Sequence, residues 1–180
     1  MGSEPPERFF VLQTGPLWSR YDVDVERVKP VNRGEAPCCP KCGGAIGMMT
    51  WQPPYRANLV LHGEEFGDFM EASGHDLLVS ERFAQLFRQE GLKGFEGFHP
   101  VEVLRVRRKQ RGPKPSHVPH YMLVRTCPSR AAVDVTRSHI MCSRPQTCEE
   151  CRYMPMDSIH GFTLEPSSWQ GEDVFRPRGL

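Results

Sequence analysis

Seven cysteines punctuate this chain, and four of them fall in two Cys-x-x-Cys pairs, Cys39-Pro-Lys-Cys42 and Cys148-Glu-Glu-Cys151. Two thiolates three positions apart can grip one metal ion from a tight turn. A glycine after the second cysteine, as at Gly43, lets the backbone fold back so that amides face the sulfurs. Two such pairs supply the four soft ligands of a closed tetrahedral zinc site, with metal–sulfur bonds of about 2.3 Å. Cys39, Cys42, Cys148 and Cys151 are therefore the expected metal ligands, and Zn2+ the expected structural cofactor. Four thiolates suit iron as well, and the sequence does not choose between the two metals.

The spacing sets a condition. Residues 43–147, 105 in all, separate the two pairs. Zinc ribbons usually have shorter gaps, so the intervening segment must be a domain-sized insertion whose ends come close together. Loop-closure entropy grows only slowly with length, and a folded insert offsets it. Two other readings stand beside this one. The pairs could be unrelated, one of them buried and metal-free. A redox dithiol would need an electropositive pair at a helix N-terminus. Pro40 and Lys41 hint at that, but Gly43-Gly44 opens a helix poorly, and Glu149 and Glu150 would raise a thiol pKa. Cys38 and Cys142 lie near enough in sequence to compete as ligands. With Cys127 they read better as small buried apolar residues.

The elements that must bring the pairs together follow from pattern. A chain of 180 residues, 38% hydrophobic and 25% charged, suits one globular domain. Its 17 prolines and 16 glycines imply many turns and few long helices. Strands are predicted at Phe9–Leu12, Ala45–Trp51, around Leu59–Leu61, through GFHPVEVLRV, and at Tyr121–Thr126, Ala132–Arg137 and His160–Leu164. In the fourth, Val101 and Val103 would share one face and Leu104 and Val106 the other, as in a strand covered on both sides. One helix is predicted after Ser80, which can cap it. Glu81 stands in its first turn, Phe83, Ala84 and Phe87 make an apolar stripe, Arg88 lies near its end, and Gly91 stops it. SSWQGEDVF reads as a turn into a last strand. The predicted fold is α+β: a mixed sheet-and-helix domain closed by a zinc ribbon from two distant knuckles. Residues 1–8 are expected to be disordered and 9–180 to form a single double-CxxC domain. The ribbon would come from about 36–52 and 140–165, with an α/β insert at about 57–138.

Composition removes several function classes. A net charge of +1 gives no whole-molecule field for nucleic acid. No apolar run approaches the roughly 20 residues of a membrane span. The start, MGSEPPERFFVLQTG, lacks a signal-peptide core, and Pro6 stands where myristoylation wants Ser or Thr. A cytoplasmic location is expected. The basic run Arg105, Arg107, Arg108, Lys109, Arg111 and Lys114 could contact phosphates, but no aromatic residues interleave it for base stacking. A solvated loop explains it better. Glu64, Glu65, Asp68, Glu71 and Asp76 could mimic phosphates, or simply form an exposed loop. His75, His99, His117 and His120 show no HExxH spacing, and Ser80 lacks a GxSxG setting. Trp51, Trp169 and Phe175 read as packing residues near the ribbon. No catalytic residue is expected.

Three segments together carry a resemblance. They are the double CxxC, the stretch LLVSERFAQLFRQEGLKGFEGFHPVEVLRV, and the late GFTLEPSSWQGEDVF. The chain resembles, over roughly residues 36–176, the myxobacterial paralogous double-CXXCG motif family, which includes the Sit immunity proteins. Those proteins protect cells from lipoprotein polymorphic toxins delivered by kin through outer-membrane exchange. The resemblance implies a cytoplasmic immunity protein that binds one cognate toxin and is not an enzyme. It also implies that zinc holds the scaffold while the partner surface lies elsewhere. Two features depart from the pattern. Arg152 stands where the second motif expects glycine, which bears on the second knuckle's geometry. Family members also carry a further helical segment beyond GEDVFRPRGL, so the resemblance implies a short or trimmed relative. The alternative function is a zinc-ribbon nucleic-acid binder using the 105–114 run.

Overall fold

The computed structural model describes residues 9–12, 20–73, 76–109, 115, 117–142, 144–154, 156–158 and 160–179. Residues 1–8, expected to be disordered, lie outside this range, as do His75, Arg111 and Lys114. The chain forms a mixed α+β domain. Its elements are β1 (Val23–Arg27), β2 (Arg56–Leu61), β3 (Phe69–Ser73), β4 (Asp76–Ser80), α1 (Glu81–Gln89), β5 (Phe95–Arg108), β6 (Tyr121–Thr126), β7 (Pro128–Ala132), β8 (Met141–Cys142), β9 (Met156–Ser158) and β10 (Arg176–Arg178).

Six strands make one sheet in the order β1-β2-β5-β6-β4-β3. β2 and β5 run parallel, and the other neighbours are antiparallel. The outermost strands of that order, β1 and β3, lie against each other, so the sheet curls into a near-barrel. Strand alternation builds two cores from it. Leu78, Tyr121 and Leu123 point inward with Leu59, Met70, Val101 and Trp51. The intervening Val79 and Val124 point outward and are covered by Ala84 and Phe87 of α1 and by Phe95. The helix begins as its sequence predicts. Ser80 Oγ accepts from the Phe83 amide at 3.1 Å and donates to Asp68 Oδ1 at 2.5 Å.

β5 departs from the predicted two-sided strand. Leu104 is 50% exposed, while Val103 and Val106 both pack on the inner core with Val101. The register explains this: Ala57 pairs with Val103 but Asn58 with Arg105, so Leu104 is an extra residue. A bulge shifts the parity of all that follows and returns Val106 to the inner face.

Four other predicted strands are corrected. Ala45–Trp51 is no strand; only isolated bridges, Cys38 to Ala45 and Arg33 to Trp51, fall there. Phe9–Leu12 forms no regular element, although Phe9 packs edge-on against Trp169 and Phe175. The strand predicted at Ala132–Arg137 lies earlier, at Pro128–Ala132, as an edge where a proline is tolerated. Asp134 then turns the chain, its Oδ1 accepting from the Arg137 amide at 3.0 Å and its carbonyl from the Ser138 amide at 2.9 Å. Leu164 alone of His160–Leu164 bridges, to Val133.

The segment beyond the barrel is pinned back on it at one close contact. Lys93 O accepts from the Asp173 and Val174 amides, each at 3.0 Å. Gly94, at φ +116°, passes so near that a Cβ would sit 1.7 Å from the Val174 carbonyl oxygen. Both the φ and the backbone obstacle forbid a side chain. Gly94→Ala is expected to lower stability by more than ~1 kcal/mol, read as a fall in the urea midpoint at unchanged slope.

Candidate metal centre

The four predicted ligands converge. The sulfurs of Cys39, Cys42, Cys148 and Cys151 all lie within 4.8 Å of one another. Cys39 Sγ is 3.9 Å from Cys148 Sγ, and Cys42 Sγ is 3.9 Å from Cys151 Sγ. All four thiols are free. A disulfide would need about 2.05 Å between sulfurs. A tetrahedron with bonds of about 2.3 Å has edges of roughly 3.8 Å, close to the two 3.9 Å separations. The donor chemistry and the geometry therefore both fit a tetrahedral metal ion.

Each pair builds the same turn. Gly43 N–H donates to the Cys39 carbonyl at 2.9 Å, and Arg152 N–H donates to the Cys148 carbonyl at 2.9 Å. Amides then point at sulfur. Cys39 is pulled down to about 7 by the amide of Cys42, with that of Lys41 adding to it. Cys148 is lowered in the same way by the amides of Cys151 and Glu150. Cys42 receives the Gly44 amide, which lowers it, but the thiols of Cys39, Cys148 and Cys151 and its desolvation prevail and push it up to about 11. At Cys151 the Tyr153 amide lowers the thiol, and desolvation with Cys148 and Cys39 raises it on balance. The first cysteine of each pair is thus readied as a thiolate, and its neighbours resist sharing that charge unless a cation arrives.

Arg152 does not break the second knuckle. It adopts the left-handed backbone at φ +54°, close to Gly43 at +70°. Its guanidinium is held by the Glu165 carboxylate, whose pKa that contact lowers. The ion pair compensates for a conformation that costs a residue with a Cβ roughly 1–2 kcal/mol. Arg152→Gly is accordingly expected to change stability by less than about 1 kcal/mol, because relieved strain offsets the lost pair. Arg152→Val keeps the strain and loses the pair. It is expected to cost roughly 1–2 kcal/mol and to speed metal loss to a chelator.

The remaining cysteines stay apart. Cys38 is exposed, against the expectation that it is buried, and its thiol faces the Ala36 carbonyl at 3.4 Å. Cys127 and Cys142 are half-buried and outside the cluster. Among the described residues no other group of three or more His, Cys, Asp or Glu side chains is placed to hold a metal. His99 stacks on Tyr55. Four of the five acidic residues of the stretch have arginine partners, while Glu64, Glu65 and Glu71 are exposed. Glu65 and Glu64 pair with Arg20, Asp68 with Arg82, and Asp76 is buried between Arg27 and Arg125. In the basic run, Arg107 forms a two-oxygen contact with Glu26 at 2.7 and 2.9 Å, and Arg108 donates to the Gly63 carbonyl at 3.4 Å.

Sequence reasoning missed the residues that tie the centre to the rest. Arg176 Nη2 donates to the Ile46 carbonyl at 2.6 Å, and Arg178 reaches the Glu150 carbonyl at 3.3 Å and the Arg130 carbonyl at 3.1 Å. No helix of the described residues is long and apolar enough to cross a membrane. No protein-family model, curated protein or solved structure matches the chain.

Proposed function

We propose that Cys39, Cys42, Cys148 and Cys151 hold one structural zinc ion, which closes a zinc ribbon, and that the chain is a cytoplasmic immunity protein neutralising a cognate toxin by binding it. The observation that carries the structural role is the closed set of four converging sulfurs. Thiolates would fill all four tetrahedral positions, leaving none for water or substrate. Zinc supplies a rigid cross-link between distant parts of the chain. The chain's own residues do the rest: the amides of Lys41, Cys42, Glu150 and Cys151 stabilise thiolate charge, and Arg152 with Glu165 fixes the second turn. A site so arranged holds a scaffold, and function then lies in recognition.

The resemblance to double-CXXCG immunity proteins names the partner class, a polymorphic toxin of the Sit lipoprotein type. Co-expression with the product of the neighbouring gene tests it. Rescue of growth with a co-purifying complex is the expected result. Failure to rescue from a neighbour that is toxic alone removes the reading.

The nucleic-acid alternative loses support from the pairing of Arg107 with Glu26. No DNA or RNA binding is expected even at low salt. Salt-dependent binding lost in Arg107→Glu/Arg108→Glu would replace the immunity reading with that one.

A further inference from the structure

Beside the four sulfurs, the two cysteine pairs, β7 and β10 enclose a cleft of about 260 Å³. Cys39 and Cys151 lie in its wall, so it abuts the metal centre. Apart from the sulfurs, its charged side chains are mostly cationic. Arg130, Arg176 and Arg178 line it against a single carboxylate residue, Glu150. Among the described residues none of these arginines forms an ion pair, although Arg178 acts on Glu165 at longer range. Arg176 and Arg178 are instead fixed by backbone carbonyls, which orient a guanidinium without neutralising it. Each has five N–H donors, so most of theirs remain available. Arg130 stands exposed and Tyr153 is 51% exposed.

Size and lining together indicate the occupant. The cleft falls below the roughly 300–1,000 Å³ of small-molecule sites, so it suits one or two side chains rather than a whole cofactor. Ile46 and three prolines give it stiff apolar walls. Tyr and Arg are among the residues that dominate protein-interface energetics, and a guanidinium matches a carboxylate in two-point geometry. We propose that this cleft is a protein-docking site that receives an acidic side chain of the partner, its carboxylate held by Arg130, Arg176 and Arg178 beside Tyr153. This rests on the reading of the chain as a protein-binding inhibitor and adds the docking face and the chemistry it recognises. The competing role is charge balance, because four thiolates around a divalent ion leave two net negative charges at the wall.

An NMR titration of the zinc-loaded full chain with N-acetyl-Phe-Asp-Asp-amide separates the two. Saturable amide shifts at Ile46, Arg130 and Tyr153 are expected, and the Asn-Asn counterpart gives none. Arg130→Glu, at an exposed site, weakens the peptide by about tenfold or more with zinc content unchanged. The proposal is overturned by absent shifts, by equal shifts with the Asn peptide, or by inorganic phosphate binding more tightly than the peptide. An Arg130→Glu effect on zinc retention without one on peptide binding also overturns it. No toxin enters this experiment. Peptide binding without toxin rescue therefore removes only the immunity reading, and rescue without peptide binding removes only the cleft.

Discussion

Cys148→Ser is expected to abolish stoichiometric zinc binding and to lower the melting temperature by on the order of 10 °C, and chelating the wild-type chain is expected to do the same. The reason lies in where the apolar cores sit. Both clusters of buried hydrophobic residues belong to the near-barrel and α1. Around the sulfurs the regular structure is slight. β8 and β9 are two and three residues long, and β10 has three. Segments with so little buried apolar surface do not offset their own chain entropy, and a metal cross-link must. The loss is therefore expected to be local. Amide exchange rises across 36–46 and 144–158, while β4, β6 and α1 stay protected. One zinc per chain in Cys148→Ser, or an unchanged melting temperature after chelation, contradicts a structural centre. Proton release supplies an independent measure, since ligands bind as thiolates. Cys39, lowered to about 7, is still protonated below that pH and ionised above it. Zinc uptake then releases more protons below pH 7 than above it, which calorimetry in buffers of different ionisation enthalpy measures.

How far the sequence revealed this molecule depends on the range of the forces involved. α1 was legible down to its cap, because Ser80, the Phe83/Ala84/Phe87 stripe and Gly91 act within one helix. β6 was legible for the same local reason. The bulge at Leu104 was not, because only the register with β2 places it. Around the cysteines the strand patterns misled. Ala45–Trp51 is an apolar-rich run between turn residues, yet it has only isolated bridges, to Cys38 and Arg33. The four-cysteine cluster was legible from two short spacings, which already required the ends of the insert to meet, but the contacts that bring them together were not. Those are β7 pairing with β10 and Arg176 reaching Ile46, 130 residues away, and contacts between a guanidinium and a carbonyl leave no sequence pattern. Arg152 illustrates the opposite error. A missing glycine suggested a distorted knuckle, whereas the left-handed turn persists because Glu165 supports the arginine that occupies it. Asp76, which read as one of an exposed acidic stretch, is the most deeply committed carboxylate of that group.

Its removal is the second large effect. The Asp76 side chain is 5% exposed and lies between Arg27 Nη2 and Arg125 Nε, each at 2.7 Å. Its Oδ2 also accepts from the Trp51 amide at 3.2 Å. Arg125 donates to the Trp51 carbonyl at 2.6 Å, and the Arg27 guanidinium stacks 4.9 Å from the Trp51 ring centroid. One carboxylate thus holds two cations and anchors the tryptophan that begins the barrel after the first knuckle. Deleting it leaves Arg27 and Arg125, with side chains 11% and 24% exposed, facing each other without their shared counter-charge. Breaking such a partly buried arrangement costs roughly 3–5 kcal/mol, far more than the pair itself contributes relative to an apolar core. Asp76→Ala is therefore expected to lower the melting temperature by about 10 °C, and Asp76→Asn, which keeps an acceptor but not the charge, by less. The exposed Arg56–Glu102 pair is the control, and Glu102→Gln should cost under about 1 kcal/mol. Because Trp51 continues directly from the chain that carries Cys39 and Cys42, loosening it should also speed zinc loss to a chelator. If Asp76→Ala unfolds earlier yet releases zinc at the wild-type rate, the barrel and the metal centre are mechanically independent. A rate that rises with the loss of stability instead makes the carboxylate the link between them.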